Sequence, residues 1–349
     1  MVLAVLIVVP VLVIIAVRTA NYFSNRITTK NGIDEGIFVE LGGQEQYLHI
    51  RGKDVNNPVI IWVHGGPASP DTPDNYIFDK YLVDNYTLVF WDQRGCGRTY
   101  FRNKNADPNN DTATFEQALA DLDELVDYVS GRFHSSDIVV VGHSYGTLLG
   151  SKYAVGHPEK ISAYIGVGQF GDSGSDVYSY EDALAKAKAN GDDTVEMENA
   201  YRRYREEPSL DNMMALRRYT SPYHAAPREA KDIIWKGITS PHLGIDDVRW
   251  FLKQMGNLEE FIELNRQLFD YIKTADVREN GMTYEIPVGF ISGECDWTTP
   301  VAYSKSYYND IEAPLKNFLT IDGCGHIPQY DAPLEFCDAL RGMLDEYLK

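Results

Sequence analysis

Short apolar runs alternate along the chain with longer stretches in which apolar residues recur every three or four positions. The short runs are predicted to form buried strands, and they lie at residues 59–63, 87–91, 137–141, 161–167, 286–291 and 317–321. Residues 147–157, which follow the third run after five intervening residues, are predicted to form a helix. Strands that alternate with helices are typical of an α/β fold, so we expect a mostly parallel central sheet flanked by helices.

The stretch between the fourth and fifth predicted strands has a different pattern. Apolar residues recur there at helical spacing with few strand signals, and the predicted helices lie at residues 181–189, 194–206, 211–219 and 245–274. We interpret residues 170–284 as a helical cap. The cap would be inserted into a core made of residues 31–169 and 285–349.

The N-terminal segment is apolar and contains no charged residue before Arg18. Residues 2–17 form sixteen uncharged positions, with Pro10 among them, and at about 1.5 Å per residue they make a helix a little short of a bilayer core. No basic stretch precedes this segment and no Ala-x-Ala cleavage site follows it, which favours an uncleaved anchor over a removed signal peptide. Residues 1–30 are therefore predicted to be a membrane anchor and linker, and Arg18, Arg26 and Lys30 favour a cytoplasmic catalytic domain without settling its side.

One motif between the third predicted strand and its helix indicates the chemistry. Residues 142–146 read Gly-His-Ser-Tyr-Gly, the pattern of a nucleophile elbow, in which glycines allow a sharp strand-to-helix turn. Such a turn projects the Oγ of Ser144 above the sheet and leaves the amide of Tyr145 facing a developing oxyanion. The alternative is a surface serine flanked by glycines, and the strand and helix on either side argue against it.

A nucleophilic serine needs a base and an acid that orients the base, and in this arrangement both follow the serine along the chain. Asp296 comes after the fifth predicted strand, where its carboxylate would fix the tautomer of a histidine. His326 lies in the glycine-rich loop after the sixth strand and is the expected base. Glu294 is the rival acid. His143 is expected to pack beside the serine, and the remaining histidines lack this order and loop context.

A second loop is predicted to complete the oxyanion hole. The first predicted strand, residues 59–63, leads into His-Gly-Gly-Pro at 64–67. Glycines let the backbone approach a substrate closely, and in this arrangement the loop supplies the second amide. We therefore expect the amide of Gly66 to join that of Tyr145, with Gly65 shaping the turn beside the substrate. A simple Gly-Gly-Pro turn would explain these residues singly.

Composition narrows the partners. A chain of 349 residues with 44% hydrophobic content is able to bury a large core and a cap. A net charge of −19 argues against nucleic acid as a partner. If the electrostatic field of these acidic residues extends into the cleft, it favours the binding of peptides through their cationic N-termini. The chain has neither His-Glu-x-x-His nor a C-x-x-C pair, so no metal and no cofactor is predicted.

Four scattered cysteines do not suggest a disulfide scaffold. Cys96, Cys295 and Cys324 lie close in sequence to the candidate motifs, so all three are expected to line or border the site, whereas Cys337 is expected to pack. Bulky thiol reagents are then expected to inhibit the protein although no cysteine is the nucleophile.

Five motifs follow one another in a recognisable order. They read His-Gly-Gly-Pro at 64–67, Asp-Gln-Arg-Gly-Cys-Gly-Arg-Thr at 92–99, Gly-His-Ser-Tyr-Gly at 142–146, Gly-Glu-Cys-Asp-Trp-Thr-Thr-Pro at 293–300 and Gly-His at 325–326. In this order they resemble the proline iminopeptidases, also called prolyl aminopeptidases, and the related tricorn-interacting aminopeptidase. The resemblance spans about residues 35–345, and it is strong in the core and weak in the cap.

The resemblance implies an α/β-hydrolase fold and the release of an N-terminal residue, typically proline, from short peptides through an acyl-enzyme on Ser144. In those enzymes acidic residues of the cap hold the free α-amine of the substrate, since a buried ammonium needs a carboxylate partner. Their Trp-x-x-Trp-Glu cap pattern is missing here. Glu206 and Glu207 are the cap acids that we expect to bind the amine, although a solvated helix end is the simpler interpretation.

Two other functions fit the same residues. A carboxylesterase or other acyl hydrolase would use the same triad on a neutral ester, with the cap acids as mere surface. A membrane-tethered binding module would keep the fold without the chemistry, although a complete triad and two oxyanion loops have no evident use in a binder.

Overall fold

The computed structural model describes residues 2–349, and it contains an eight-stranded sheet in the order β1-β2-β4-β3-β5-β6-β7-β8. The strands are β1 (Ile33–Leu41), β2 (Gln44–Gly52), β3 (Val59–Val63), β4 (Thr87–Asp92), β5 (Ile138–His143), β6 (Ala163–Val167), β7 (Val288–Gly293) and β8 (Lys316–Ile321). β2 runs antiparallel to both β1 and β4, and the other neighbours pair in parallel. The predicted α/β fold with a mostly parallel sheet is confirmed.

Helices cover both faces of the sheet because alternate strand residues point to opposite sides. In β3, Ile61 and Val63 belong to one buried apolar cluster, and Ile60 and Trp62 belong to the other. The helices outside the cap are α1 (Val2–Asn25), α2 (Gly97–Asn103), α3 (Phe115–Phe133), α4 (Tyr145–Gly156), α12 (Val301–Asp310), α13 (Pro328–Asp331) and α14 (Pro333–Tyr347). Side chains of α3 and α4 fill the first cluster, and those of α14 fill the second.

The segment between β6 and β7 is helical, as its spacing predicts. Its helices are α5 (Ser175–Asn190), α6 (Val195–Glu206), α7 (Leu210–Thr220), α8 (Ile233–Ile238), α9 (Ile245–Gly256), α10 (Leu258–Leu264) and α11 (Arg266–Ile272). The expectation of one helix over residues 245–274 is wrong. The chain breaks at Asn257, whose side chain accepts a hydrogen bond from the amide of Glu260 and so starts a new helix. It breaks again at Asn265, between α10 and α11.

The N-terminal helix α1 continues beyond the uncharged residues that predict it. Within it, Val8–Asn25 is apolar enough and long enough to cross a membrane, and no residue of that stretch is buried. An anchor and a signal sequence both have this property. The polar end of α1 is bound to the cap: Arg18 Nη2 donates to the carbonyl of Leu243, and Asn21 Nδ2 donates to that of Thr239 at 3.0 Å.

A buried ion pair joins the loop after β4 to α3. Arg94 Nε and Nη2 donate to the carboxylate of Asp121 at 2.7 and 2.9 Å, and both side chains are almost completely buried. Replacement of Asp121 by Ala should lower the free energy of unfolding by about 3–5 kcal/mol, because Arg94 would remain buried without its partner. Urea unfolding of the full chain in detergent measures this loss. The matched control is Glu45→Ala, which breaks an exposed ion pair with Arg102 and should leave the midpoint nearly unchanged; equal shifts for the two variants would contradict the expectation.

Candidate active site

Ser144 lies at a sharp turn between β5 and α4. Its backbone has φ 53° and ψ −121°, a conformation that residues other than glycine rarely adopt. The flanking glycines make the turn possible. A Cβ on Gly146 would lie 2.2 Å from the carbonyl oxygen of Val63, and a Cβ on Gly142 would lie 2.5 Å from the carbonyl oxygen of Gly146. The motif therefore has the geometry of a nucleophile elbow.

The structure brings Ser144, His326 and Asp296 together in one hydrogen-bonded chain. The Oγ of Ser144 lies 2.9 Å from Nε2 of His326, and Nδ1 of His326 lies 2.9 Å from Oδ2 of Asp296. Nδ1 faces a carboxylate, which only accepts, so it carries the proton and Nε2 is free to accept the proton of Ser144. The three residues follow β5, β7 and β8, whose carboxyl ends meet at one edge of the parallel sheet.

Asp296 is buried and yet held in its ionised form. Oδ1 accepts from the amides of Thr298 and Thr299, both at 2.9 Å, and Oδ2 accepts from the Thr299 hydroxyl at 2.8 Å. Burial raises the pKa of Asp296, but the charge and hydrogen bond of His326 and the bonds from Thr299 outweigh it, so the pKa lies below its ordinary value. A negative charge beside Nδ1 favours the imidazolium that forms when His326 takes a proton.

His143 has a second task besides the packing that the sequence predicts. Its Nε2 lies 3.0 Å from the backbone carbonyl of His326 and donates to it. Burial, with the nearby charge of His326, lowers the pKa of His143 to about 3, so this ring is neutral. His143 thus ties the loop of the candidate base to the elbow of the candidate nucleophile. Its place next to Ser144 in the sequence is the signal that could have suggested this role.

The loop after β3 passes directly over the elbow. A Cβ on Gly65 would lie 2.9 Å from Cβ of Ser144, and Gly66 has φ +118°, where side chains are strained. Gly66 and Ser144 line the same cavity. Tyr145 is the first residue of α4, and amides in the first turn of a helix have no partner within the helix. These positions suit the two amides of an oxyanion hole.

Buried polar side chains of the Asp-Gln-Arg motif hold this loop. Gln93 Nε2 donates to the carbonyl of His64 at 3.0 Å, and the Gln93 amide lies 3.3 Å from Nε2 of His64. Burial lowers the pKa of His64 to about 4, so its ring is neutral and can accept this bond. Asp92 accepts from the Thr72 hydroxyl at 2.6 Å. The motif therefore holds the loop after β3 in place, and we call residues 64–69 the oxyanion loop after the role that the sequence predicts for them.

A cavity of about 150 Å³ opens over Ser144 beneath the cap. Its walls are mostly apolar, and its charged lining residues are Asp176 of α5, Arg217 of α7 and Lys273, which follows α11. Arg217 Nε and Nη2 donate to the two oxygens of Asp176 at 2.7 and 3.2 Å. The same pair borders a second cavity of about 420 Å³ that reaches His326. The pair thus stands between two parts of one cleft.

Two of the predicted substrate-binding residues lie elsewhere. Glu206 and Glu207 are exposed at the C-terminal end of α6 and do not line either cavity. Asp176, which does, comes from the first turn of α5. That helix begins before the predicted residues 181–189, so the periodicity gave no reason to consider this acid.

The cysteines are less accessible than their positions predict. Cys96, Cys324 and Cys337 are buried, and among the four only Cys295 lines one of the two described cavities. Burial raises the pKa of the Cys295 thiol, which makes it a poor nucleophile at neutral pH. The expectation that three cysteines line or border the site is therefore too broad, and a bulky thiol reagent has one accessible target near the cleft.

A cluster of Asp34, His49 and His242 has ligand atoms within 4.8 Å of one another, the spacing of a possible metal site. The Nε of Arg51 lies 3.2 Å from the same Asp34 oxygen that faces His49. The guanidinium therefore already supplies a positive charge to this carboxylate, and we assign no metal to the cluster. It shares no residue with the two described cavities.

The rival acids at the end of β7 are distinguished by one pair of substitutions. Asp296→Asn should lower kcat by about 10⁴-fold, because the amide no longer fixes the tautomer and charge of His326. Glu294→Gln should leave kcat close to that of the unchanged protein, because Glu294 is exposed and accepts only from the amide of Gly323. Steady-state kinetics with circular dichroism as the folding check compare the two variants. Similar losses in both would contradict the assignment of the acid.

Residues 58–333 match the alpha/beta hydrolase fold family. A probable aminopeptidase of Bacillus subtilis, YbaC, is 24% identical over 312 residues, which cover 86% of this chain and 93% of that protein. A proline iminopeptidase of Saccharolobus solfataricus is 29% identical over 137 residues, 38% of this chain and 40% of the relative. The similarity to that relative is thus confined to less than half of its length.

The structure also resembles solved ones. A proline iminopeptidase of Mycobacterium smegmatis superimposes with a TM-score of 0.64 at 16% identity, over 90% of this chain and 98% of that one. A membrane phospholipase A and an epoxide hydrolase are similar as well, so the likeness defines the fold and leaves the reaction open. On the match of residues 58–333, the chain belongs to the alpha/beta hydrolase fold family.

Proposed function

We propose that this hydrolase is a membrane-anchored serine aminopeptidase that releases proline, or another small residue, from the N-terminus of short peptides. The observation that supports it best is the hydrogen-bonded chain from Ser144 through His326 to Asp296 at the floor of a capped cleft. Similarity to a probable aminopeptidase over most of both chains supports the peptide substrate. No metal or cofactor has a part in this proposal.

The reaction would proceed in two halves. Ser144 Oγ attacks the scissile carbonyl as His326 Nε2 takes its proton, and the amides of Gly66 and Tyr145 receive the oxyanion. When the tetrahedral intermediate collapses, His326 gives the proton to the leaving amine and the N-terminal residue remains as an ester on Ser144. Water then attacks this ester with His326 again as base, which frees the amino acid and restores the serine.

The cavity over Ser144 suits a small acyl group with a charged amine. Its volume of about 150 Å³ and its mostly apolar wall favour a compact side chain such as the proline ring. Asp176 is the buried carboxylate of this cavity, with 8% of its surface exposed. An ammonium in such surroundings needs a carboxylate partner, so we propose Asp176, in place of the exposed Glu206 and Glu207, as the group that binds the substrate amine.

One observation favours a second function. Arg217 already binds both oxygens of Asp176, so a substrate ammonium would have to displace or share this partner. A neutral ester needs no such exchange, and the apolar wall would bind its acyl chain. The second candidate is therefore a carboxylesterase or other acyl hydrolase that uses the same triad.

A substrate panel separates the two functions. We expect the full chain in detergent to hydrolyse prolyl anilide, to lose this activity when the amine is acetylated, and to lose it by several orders of magnitude in Ser144→Ala. Turnover of a short-chain nitrophenyl ester without any anilide turnover would instead support the acyl hydrolase. Retention of activity in Ser144→Ala would contradict both.

The role of Asp176 is tested on the same substrates. Asp176→Asn should raise KM for free prolyl anilide at least about tenfold, the loss of roughly 1.4 kcal/mol expected when a charge-assisted hydrogen bond to the ammonium is removed. It should change KM for the nitrophenyl ester much less, since an ester has no ammonium. Glu206→Gln, at the exposed end of α6, is the control and should leave KM unchanged for both the anilide and the ester. An equal change on both substrates for Asp176→Asn would indicate a general effect on the cleft.

A further inference from the structure

Helix α9 has two different faces, and its inner face lies against the oxyanion loop. Trp250 Nε1 donates to the carbonyl of Ala68 at 3.0 Å, and Gln254 Nε2 donates to the hydroxyl of Ser69 at 2.7 Å. Trp250 is buried in a small apolar cluster together with Ala68 and Phe261. The inner side of α9 is therefore packed against the loop after β3 and the neighbouring cap residues.

The outer face of α9 is apolar and exposed. Ile245, Leu252 and Met255 expose 74%, 62% and 69% of their surface, and they follow one another at helical spacing. The neighbouring short helix α8 adds further exposed apolar side chains. The exposed apolar side chains of the two helices are what we call the cap apolar face: Ile234, Trp235, Ile238, Ile245, Val248, Phe251, Leu252 and Met255. Soluble monomers rarely expose so many large apolar side chains in two consecutive helices, and such a surface marks an interaction site.

The cap apolar face flanks the point where the N-terminal helix meets the cap. The segment that connects α8 to α9 contains Thr239 and Leu243, and their carbonyls accept the hydrogen bonds from Asn21 and Arg18 of α1. The stretch Val8–Asn25 of α1 has no buried residue. The exposed apolar surface of α1 is thus joined, through two polar contacts at its end, to the exposed apolar surface of the cap.

We propose that the cap apolar face lies on the lipid bilayer that α1 enters, so that the protein meets the membrane with two cap helices as well as its anchor. This proposal rests on the proposed anchor. Because α1 is bound to the α8–α9 connection, inserting α1 brings both helices to the interface without a change in the fold. The chain carries a net charge of −19, which repels anionic headgroups. The attraction is therefore apolar, and the ring of Trp235 suits the boundary between headgroups and acyl chains.

This arrangement links the membrane to the candidate active site. The outer side of α9 would contact lipid while its inner side bonds to Ala68 and Ser69, next to Gly66 of the oxyanion loop. The bilayer would thus support the helix that positions this loop.

Depth-dependent fluorescence quenching tests the docking in the full chain reconstituted into phosphatidylcholine vesicles. An environment-sensitive fluorophore is attached at Leu252→Cys, with Cys295→Ser as background because the other cysteines are buried. Leu12→Cys reports the anchor. Val195→Cys, an exposed apolar position on α6, is the matched control on the cap. We expect lipids with a quencher high on the acyl chain to quench the label at Leu252 several-fold more than the label at Val195.

The possible outcomes separate the docking from the anchor. Quenching at Leu12 with none at Leu252 beyond the Val195 control overturns the docking and leaves the anchor in place. An absence of quenching at Leu12 contradicts the proposed anchor, and the docking proposal, which depends on the anchor, fails as well. Disulfide crosslinking of the unlabelled Leu252→Cys protein to a second copy by an added oxidant, together with no lipid quenching of the labelled protein, identifies self-association as the use of this face and also overturns the proposal.

A charge substitution provides a second test with little risk to folding. Leu252→Asp combined with Met255→Asp changes only exposed side chains, and it should abolish several-fold quenching of a label at Trp235→Cys. Val195→Asp should leave that quenching unchanged. Quenching at Trp235 that persists in the double variant would overturn the proposal.

Discussion

The candidate site depends on a close backbone approach at the end of β3. Gly146, in the first turn of α4, lies so close to the carbonyl of Val63 that a Cβ would come within 2.2 Å of it. Gly65 similarly faces Ser144, with room for no side chain. This approach places the oxyanion loop over the nucleophile elbow and keeps Ser144 at positive φ, where the surrounding structure must hold it. The positions of the candidate nucleophile, of the two candidate oxyanion amides and of the cavity above them follow from this contact.

Buried polar groups then fix the positions of the loops that follow β3, β4 and β7. Asp296 remains ionised because two amides and a hydroxyl surround it as well as His326. The loop after β4 is attached to α3 through Arg94, and it holds the oxyanion loop through Gln93. Each of these groups would destabilise the fold if it were buried alone, and together they satisfy one another. The same residues that stabilise the core therefore orient the candidate triad and the loop above it.

The cap contributes residues that line the cavity above Ser144. Its inner residues Asp176 and Arg217 form an ion pair at the cleft, and in the proposed function this pair would decide whether a charged amine or a neutral acyl group binds. Its outer residues on α8 and α9 are apolar and lie beside the attachment of α1. The two proposals thus assign substrate choice and membrane contact to opposite sides of the same helical insertion, with α9 between the proposed bilayer surface and the loop after β3.

The sequence by itself determined the α/β fold, the positions of six of the eight strands and the three residues that meet at 2.9 Å, but not β1 and β2. The turn at the serine is local, since a glycine-bracketed serine between a strand and a helix specifies it. The acid and the histidine are distant from the serine, with His326 182 residues away, but their chain order and their positions at strand ends identify them. Only the tertiary structure decided the distant contacts that no motif marks. His143 and His326 are 183 residues apart, and Arg18 and Leu243 are 225 apart. Asp176 and Arg217 lie on separate cap helices. Hydrophobic periodicity indicates which side of a helix is apolar, but it does not identify the surface that covers that side. The apolar residues of α9 all fit one helical pattern, so the pattern did not distinguish the exposed side of this helix from its buried side.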